Sequence, residues 1–141
     1  MKHNHLAIIS AVIFQQALCY AWYSKVLFLG PWLDAVGMSS NNAVFHQPHP
    51  TMAAILGSAM FCYLLSWLFQ MLVVDDWVRG LIVGALIGLG FLAPVLATHY
   101  LYLGFGPEMV WIDGSRQIIA SGGAGAILAI WAGEPTAEEA T

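Results

Sequence analysis

The sequence predicts an all-α integral membrane protein, a four-helix bundle with both termini on the same side of the bilayer. The chain of 141 residues is 60% hydrophobic and only 9% charged, and its mean hydropathy is +0.74. Soluble domains carry about 25% charged residues, so lipid must cover much of this surface. The apolar residues also form four segments close to the roughly 20 residues that cross a bilayer. At this length we expect a single domain over residues 1–141.

The first predicted span covers residues 6–28 and follows a short polar start. Lys2 before an apolar run is also typical of a signal peptide, but Gln15 and Gln16 interrupt the run, and we interpret it as an uncleaved span. Residues 29–50 are predicted to form a long loop. Pro48 and Pro50 should prevent regular structure at its end.

The other predicted spans cover residues 51–74, 80–103 and 108–131. Thr51 is expected to cap the second span. Asp75, Asp76 and Arg79 are expected to form a tight polar turn before the third, and Gly104 and Pro107 end it. The acidic tail, residues 133–141, is expected to be disordered.

Orientation in the membrane is not predicted by the positive residues. Lys2 and Arg79 fall on one side of the predicted bilayer, and Lys25 and Arg116 fall on the other. Cytoplasmic loops carry an excess of Lys and Arg, and here the two sides are equal.

Each predicted span carries small or polar residues at a spacing of four, which places them on one helix face. The members are Ala7, Ala11, Gln15, Cys19 and Tyr23; Ala54, Ser58, Cys62, Ser66 and Gln70; Gly80, Gly84 and Gly88; and Asp113, Gln117, Ser121, Gly125 and Ala129. Membrane helices associate through such close-packing faces and through polar contacts between them. We predict a tight helix–helix seam that includes Gly80, Gly84, Gly88, Ser121 and Gly125.

A polar cluster is predicted at the end of the bundle near the long loop. Its members are His99, Asp113, Arg116, Gln117 and Tyr23. His99 follows Gly88 by 11 positions, or about 20° around a regular helix, so it should share the close-packing face. Asp113 and Arg116 stand three apart and can pair. The alternative is an interfacial belt, in which these side chains reach the headgroups.

Metal and cofactor sites are not predicted. His46 and His49 lie in a proline-rich segment with too few nearby donors for a tetrahedral site. A tetrapyrrole held by His99 is a geometrically possible alternative. The sequence contains no metalloprotease, hydrolase or phosphate-loop motif, and no basic patch for nucleic acid. Cys19 and Cys62 lie in apolar segments, where a disulfide is not expected.

The sequence resembles a bacterial membrane family known as a domain of unknown function, number seventeen sixty-one. The resemblance is carried first by Trp22, Tyr23, Ser24, Leu27, Phe28, Gly30 and Trp32, and then by Gly90, Phe91, Ala93, Pro94, Thr98, Tyr100, Leu101, Gly104 and Pro107. It continues at Ile112, Asp113 and Gly114 and from Gly125 to Leu128. The chain departs from the family pattern at Lys25 and Ser115. The resemblance implies a four-span fold and no particular activity.

We therefore expect a non-catalytic accessory or structural subunit of a larger complex in the bacterial inner membrane, with lipid and other membrane subunits as partners. This expectation depends on the small soluble mass, the missing catalytic motifs and the small-residue stripes. One alternative is a small transporter or channel, whose pathway is the polar interior at Gln15, Ser58 and Gln117. A second is a redox protein that binds a cofactor at His99.

Overall fold

The structure is a computed structural model that describes residues 3–39 and 48–132. Within these ranges the regular structure is entirely helical, as predicted. The helices are α1 (His5–Trp22), α2 (Leu29–Val36), α3 (Pro48–Leu72), α4 (Trp77–Ile87), α5 (Ala93–Tyr102) and α6 (Pro107–Ala132). A π-helical turn, Gly88–Leu92, joins α4 and α5 into one continuous helix. The described residues therefore form five continuous helices, not the four that the sequence predicts.

The additional helix is α2, in a segment predicted to be a loop. Leu33 is buried on its inner side, where α2 packs against α6. Gly37 ends the helix with φ of 67°, and its N–H donates to the carbonyl groups of Leu33 and Asp34. A left-handed residue at this position is a common helix end and favours glycine.

The start of α3 also differs from the prediction, because Pro48 and Pro50 lie in its first turn. Proline is tolerated there, since the first N–H groups of a helix have no intrahelical partner. Thr51 is consequently inside the helix. The rest of the predicted loop, residues 40–47 with His46, and the predicted disordered tail, residues 133–141, lie outside the described residues.

The predicted polar turn at residues 75–79 is the capped start of α4. The Asp76 carboxylate accepts hydrogen bonds from the backbone N–H groups of Val78 and Arg79, both at 3.0 Å. Asp75 lies 3.9 Å from Arg79, and both side chains are exposed. Asn4 caps α1 in the same way, with its side chain accepting from Leu6 and Ala7.

Helix α6 is at the centre of the bundle and packs against every other helix in the described part of the chain. Residues in contact on neighbouring helices show whether the helices are parallel or antiparallel. Along α1 and α3, His3 bonds to Ser66 and Gln16 bonds to Ser58, so these helices are antiparallel. Helices α4 and α6 are antiparallel by the same reasoning, from the pairs Gly80 with Ala129 and Gly88 with Ile118.

Helix α1 is antiparallel to α6 as well, because Phe14 packs on Gly123 and Trp22 bonds to Ile112. His5 and Ala132 therefore lie at the same end of the bundle, which we call the terminal end. The opposite end, which holds α2, is the loop end.

The apolar core occupies the terminal end. It contains Ala7, Ile8, Ala11, Cys62, Leu65, Phe69, Val74, Ala124, Leu128 and Ala129. Ala7, Ala11, Cys62 and Ala129 are members of the small-residue stripes and are buried, whereas Ala54 of the α3 stripe is exposed. Cys19 and Cys62 are both free thiols.

Three helices are long and apolar enough to cross a membrane, by length and composition: α1, α3 and the continuous helix Trp77–Tyr102. Helix α6, the fourth predicted span, is long enough but carries Glu108, Asp113 and Arg116 as well as many small residues. Its neighbours cover it, so it does not need an apolar surface. The outward faces of the other helices are apolar, with Phe91 and Val95 among the exposed side chains, which is compatible with a membrane protein.

Candidate functional site

A cavity of about 320 Å³ lies between α1, α3 and α6. Its polar lining consists of Gln15, Gln16, Cys19, Ser58, Arg116, Gln117 and Ser121. Arg116 is nine residues after the start of α6, or roughly 13 Å along the helix at 1.5 Å per residue. The cavity therefore lies deep between the two ends of the bundle, on the loop side of the apolar core.

Two of the polar lining residues have partners within the bundle. The Gln16 amide donates to the Ser58 hydroxyl at 2.9 Å and lies 3.5 Å from the Ala54 carbonyl oxygen. The Ser121 hydroxyl donates to the Gln117 carbonyl at 2.7 Å. Gln16 therefore has hydrogen-bond partners on α3 within the bundle.

Two other lining side chains, Gln15 and Gln117, make no side-chain hydrogen bond to the described residues, and one atom of Arg116 also lacks a partner. Gln15 is only 8% exposed, and its amide bonds to no described group. The half-buried amide of Gln117 also lacks a partner. The Nε atom of Arg116 is buried without one. Buried polar groups are usually hydrogen-bonded, so the Nε atom of Arg116 is an exception, whereas the two amides are not fully covered and can bind water or a ligand.

Arg116 packs against an aromatic ring rather than a carboxylate. Its Cζ atom lies 5.8 Å from the centre of the Tyr23 ring, a cation–π distance. Within the described residues Arg116 forms no ion pair, so the predicted pairing with Asp113 is not seen. The two side chains lie on the same helix and meet at Tyr23, whose ring faces Arg116 and whose hydroxyl bonds to Asp113.

Asp113 is bound by two tyrosines. Only 5% of it is exposed; one carboxylate oxygen accepts from the Tyr23 hydroxyl at 2.5 Å, and the other accepts from the Tyr100 hydroxyl at 2.6 Å. A phenol is protonated at physiological pH, so Tyr23 and Tyr100 both act as donors.

These groups belong to an aromatic layer between the cavity and the loop end. Its rings are Trp22, Tyr23, Phe28, Trp32, Tyr100 and Phe105. The Trp22 indole N–H donates to the Ile112 carbonyl at 3.0 Å and ties α1 to α6. The layer therefore places bulky side chains, three of them fixed by hydrogen bonds, between the cavity and the loop end.

His99 does not join the predicted cluster, and this expectation is corrected. Its side chain is exposed, with its ring beside that of Tyr100 at 6.2 Å. The π-helical turn at Gly88–Leu92 adds one residue to the helix, and one residue corresponds to about 100° of rotation. Tyr100, one position later, therefore takes the place expected for His99. Pro94 explains the turn, because its ring and missing N–H disfavour regular α-helical bonding one turn earlier.

The predicted packing residues lie opposite one another between α4 and α6. Gly84 faces the Ser121 backbone, and Gly80 and Gly125 face each other. A methyl group at Gly88 would come within 2.8 Å of the Ile118 Cα atom. These helices approach backbone to backbone, and the structure places Gly80, Gly84, Gly88, Ser121 and Gly125 in this contact.

The sequence reasoning missed Tyr100 and Trp22 as hydrogen-bonding residues of the site. Both are aromatic residues near span ends, where an interfacial belt is the usual explanation. A signal for Tyr100 was present in the neighbouring Pro94, Gly88 and Gly90, which together favour an irregular turn.

No curated protein and no solved structure shows significant similarity to the chain. A family model described as "Protein of unknown function (DUF1761)" matches residues 6–129, which include the cavity lining, the aromatic layer and the α4–α6 contact. The chain therefore belongs to this family, as the resemblance in its sequence indicated.

Proposed function

We propose that the protein is an integral membrane protein that binds a small polar solute in its central cavity. The observation that supports this proposal is the polar lining of the cavity, where the amides of Gln15 and Gln117 have no hydrogen-bond partner among the described residues and Arg116 carries a charge without an ion pair. Amides without a partner in the protein can form hydrogen bonds with a bound solute or water.

The size and depth of the cavity suit this function. Ligand cavities range from about 300 to 1,000 Å³, and this cavity of about 320 Å³ lies at the lower end of that range. Substrate sites of secondary transporters typically lie near the bilayer midplane. The position of Arg116, deep along α6, is consistent with such a site.

A route into the cavity is available beside α3. Every residue of α3 from 48 to 57 is exposed, and Ala54 and Gly57 of this segment form part of the cavity wall. The first half of α3 therefore leaves the cavity uncovered on one side, while the aromatic layer closes the loop end. Solute entry between α1 and α3 needs no rearrangement of the α4–α6 contact.

The accessory-subunit role and the bacterial inner membrane location expected from the sequence remain hypotheses. The glycine stripe that suggested a partner surface is occupied within the chain, by α6. A redox role at His99 has no support from its position on the outside of α5. We therefore favour solute binding over both.

Cysteine chemistry offers a direct test, because Cys19 lines the cavity and Cys62 is fully buried. A Cys62→Ser variant in proteoliposomes leaves Cys19 as the single thiol. We expect a membrane-impermeant methanethiosulfonate reagent to label Cys19, since the cavity admits water. A Cys19→Ser variant is the matched control and should stay unlabelled. Failure to label Cys19 from either side of the vesicle would contradict the proposal.

Purification in mild detergent distinguishes solute binding by this protein alone from the accessory-subunit hypothesis. A protein that acts alone should elute as a monomer or homo-oligomer. Stoichiometric co-purification with other membrane chains, combined with an unreactive Cys19, would favour the accessory role instead.

A further inference from the structure

We infer that the solute is a small monoanion with a carboxylate group, and that Arg116 is the residue that anchors it. This inference depends on the proposed function and specifies its substrate class. Among the described residues, a charge without an ion pair and amides without a partner coincide at this cavity.

The charge of the cavity is the first argument. Among the described residues that line it, Arg116 alone carries a formal charge. The nearest carboxylate along α6, Asp113, already accepts hydrogen bonds from Tyr23 and Tyr100 through its two oxygens. Asp113 is one turn away and shares Tyr23 with Arg116, but it does not line the cavity. The cavity wall therefore presents a positive charge, which would attract an anionic solute.

The shape of the donor set is the second argument. A guanidinium presents its N–H groups in a planar fork that matches a carboxylate with two parallel hydrogen bonds. The buried Nε of Arg116 has no partner among the described residues, and the Tyr23 ring lies against the guanidinium. The ring limits the orientations of the guanidinium, and because Nε is covered, a carboxylate would bind through the terminal N–H groups.

The neighbouring amides complete the site. Gln15 and Gln117 line the same cavity without partners among the described groups, and each can both donate and accept. They suit the polar substituents of a small organic acid better than a bare inorganic ion. The cavity volume limits such an acid to a small molecule.

A phospholipid headgroup is a second source of anionic oxygen, and the depth of Arg116 argues against it. The residue lies roughly 13 Å along α6 from the loop end, below the aromatic layer. A headgroup would have to leave the interface to reach it, whereas a free solute would not.

The test uses the reactivity of Cys19 as a probe of the charge in the cavity. On the Cys62→Ser background, we compare the labelling rates of the anionic sulfonatoethyl and the cationic trimethylammonioethyl methanethiosulfonates, each relative to a free thiol. Charged clefts raise the encounter rates of opposite ions by about 10-fold or more. We expect the anionic reagent to be favoured by about 10-fold, and this preference to disappear in Arg116→Gln.

Two further variants separate charge from folding. Arg116→Lys keeps the positive charge and should keep the preference. Arg79→Gln removes an exposed arginine that pairs with Asp75 outside the cavity, and it should also leave the preference unchanged. Equal labelling by the two reagents in the parent protein would overturn the inference about charge, while the labelling itself would still support a water-accessible cavity.

Protection of Cys19 identifies the anion. Propionate at millimolar concentration should slow the labelling, whereas propionamide, its neutral counterpart, should not, and Arg116→Gln should abolish the protection. Equal protection by propionamide would overturn the charge requirement. Protection by inorganic phosphate or by short-chain phosphatidate, but not by propionate, would overturn the carboxylate assignment and identify a phosphate or a lipid headgroup as the ligand.

Discussion

The two sides of α6 are packed in opposite ways. On the side of α4, glycines bring two backbones into direct contact, and a methyl group at Gly80 would come within 2.5 Å of the Ala129 Cβ atom. On the side of α1 and α3, the same stretch of α6 borders a cavity of about 320 Å³. Ser121 belongs to both sides, since its backbone faces Gly84 and its residue lines the cavity.

This difference suggests a division of roles within one helix. The glycine contact leaves no space for adjustment, so it fixes the position of α6 against α4. Arg116 and Gln117 then project from a rigid element toward the more loosely packed helices. Precise sites are better supported on rigid elements than on loops, and here the tight side provides the support for the open side.

The largest expected effect comes from breaking the tight side. In Gly84→Ile, the new side chain meets the Ser121 backbone, which cannot move out of the way as a flexible side chain could. Overpacking typically costs about 1–3 kcal/mol, and a backbone clash should reach at least the upper part of that range. Thermal unfolding in detergent should show a large loss of stability, or no folded protein at all.

A matched control for this variant is Gly57→Ile, on the open side. A methyl group at Gly57 meets no atom of the described structure within 4 Å. Its unfolding temperature should therefore stay close to that of the parent protein. Equal losses in the two variants would show that the contrast between the two sides of α6 is not real.

A smaller effect is expected at the aromatic layer. Tyr100→Phe removes one hydrogen bond to the buried carboxylate of Asp113, and hydrogen bonds to charged groups contribute about 1.5–3 kcal/mol. His99→Ala, at an exposed position, should change stability by less than about 0.5 kcal/mol. Unfolding curves of the two variants compare the contributions of Tyr100 and His99 to stability. A larger loss in His99→Ala would show that α5 has the regular helical register, without the π-helical turn.

The smallest expected effect lies at the contact between α1 and α3. Gln16→Ala and Ser58→Ala each remove one neutral hydrogen bond of 2.9 Å, which should cost about 0.5–1.5 kcal/mol. The double variant should cost less than the sum of the two, because both single changes remove the same bond. Additive losses would mean that the bond is not formed in solution.

The sequence predicted the helices and their inward faces well, because the spacing of small residues such as Ala7, Ala11 and Ala129 depends only on helical periodicity. It failed where local geometry departs from that periodicity. The extra residue in the π-helical turn puts Tyr100 at the position expected for His99. A helix position calculated at 3.6 residues per turn does not include such an insertion. The predicted interior at Gln15, Ser58 and Gln117 does line the cavity. The sequence did not predict that Arg116 lacks an ion pair, because Asp113 is bound by Tyr23 and Tyr100. That arrangement depends on tertiary structure.

The composition of α6 has a consequence for how the chain enters a membrane. Charged residues oppose the insertion of a helix, most strongly near its centre, and α6 carries Asp113 and Arg116 in its first half. It also follows the other described helices in the chain and is synthesised after them. Its transfer into the bilayer would then have to be assisted by α1 and the continuous helix Trp77–Tyr102, whose polar groups and glycines are already in place. A chain that stops before α6 would leave the glycine groove of α4 open to lipid or to another chain, and would be a natural substrate for membrane quality control.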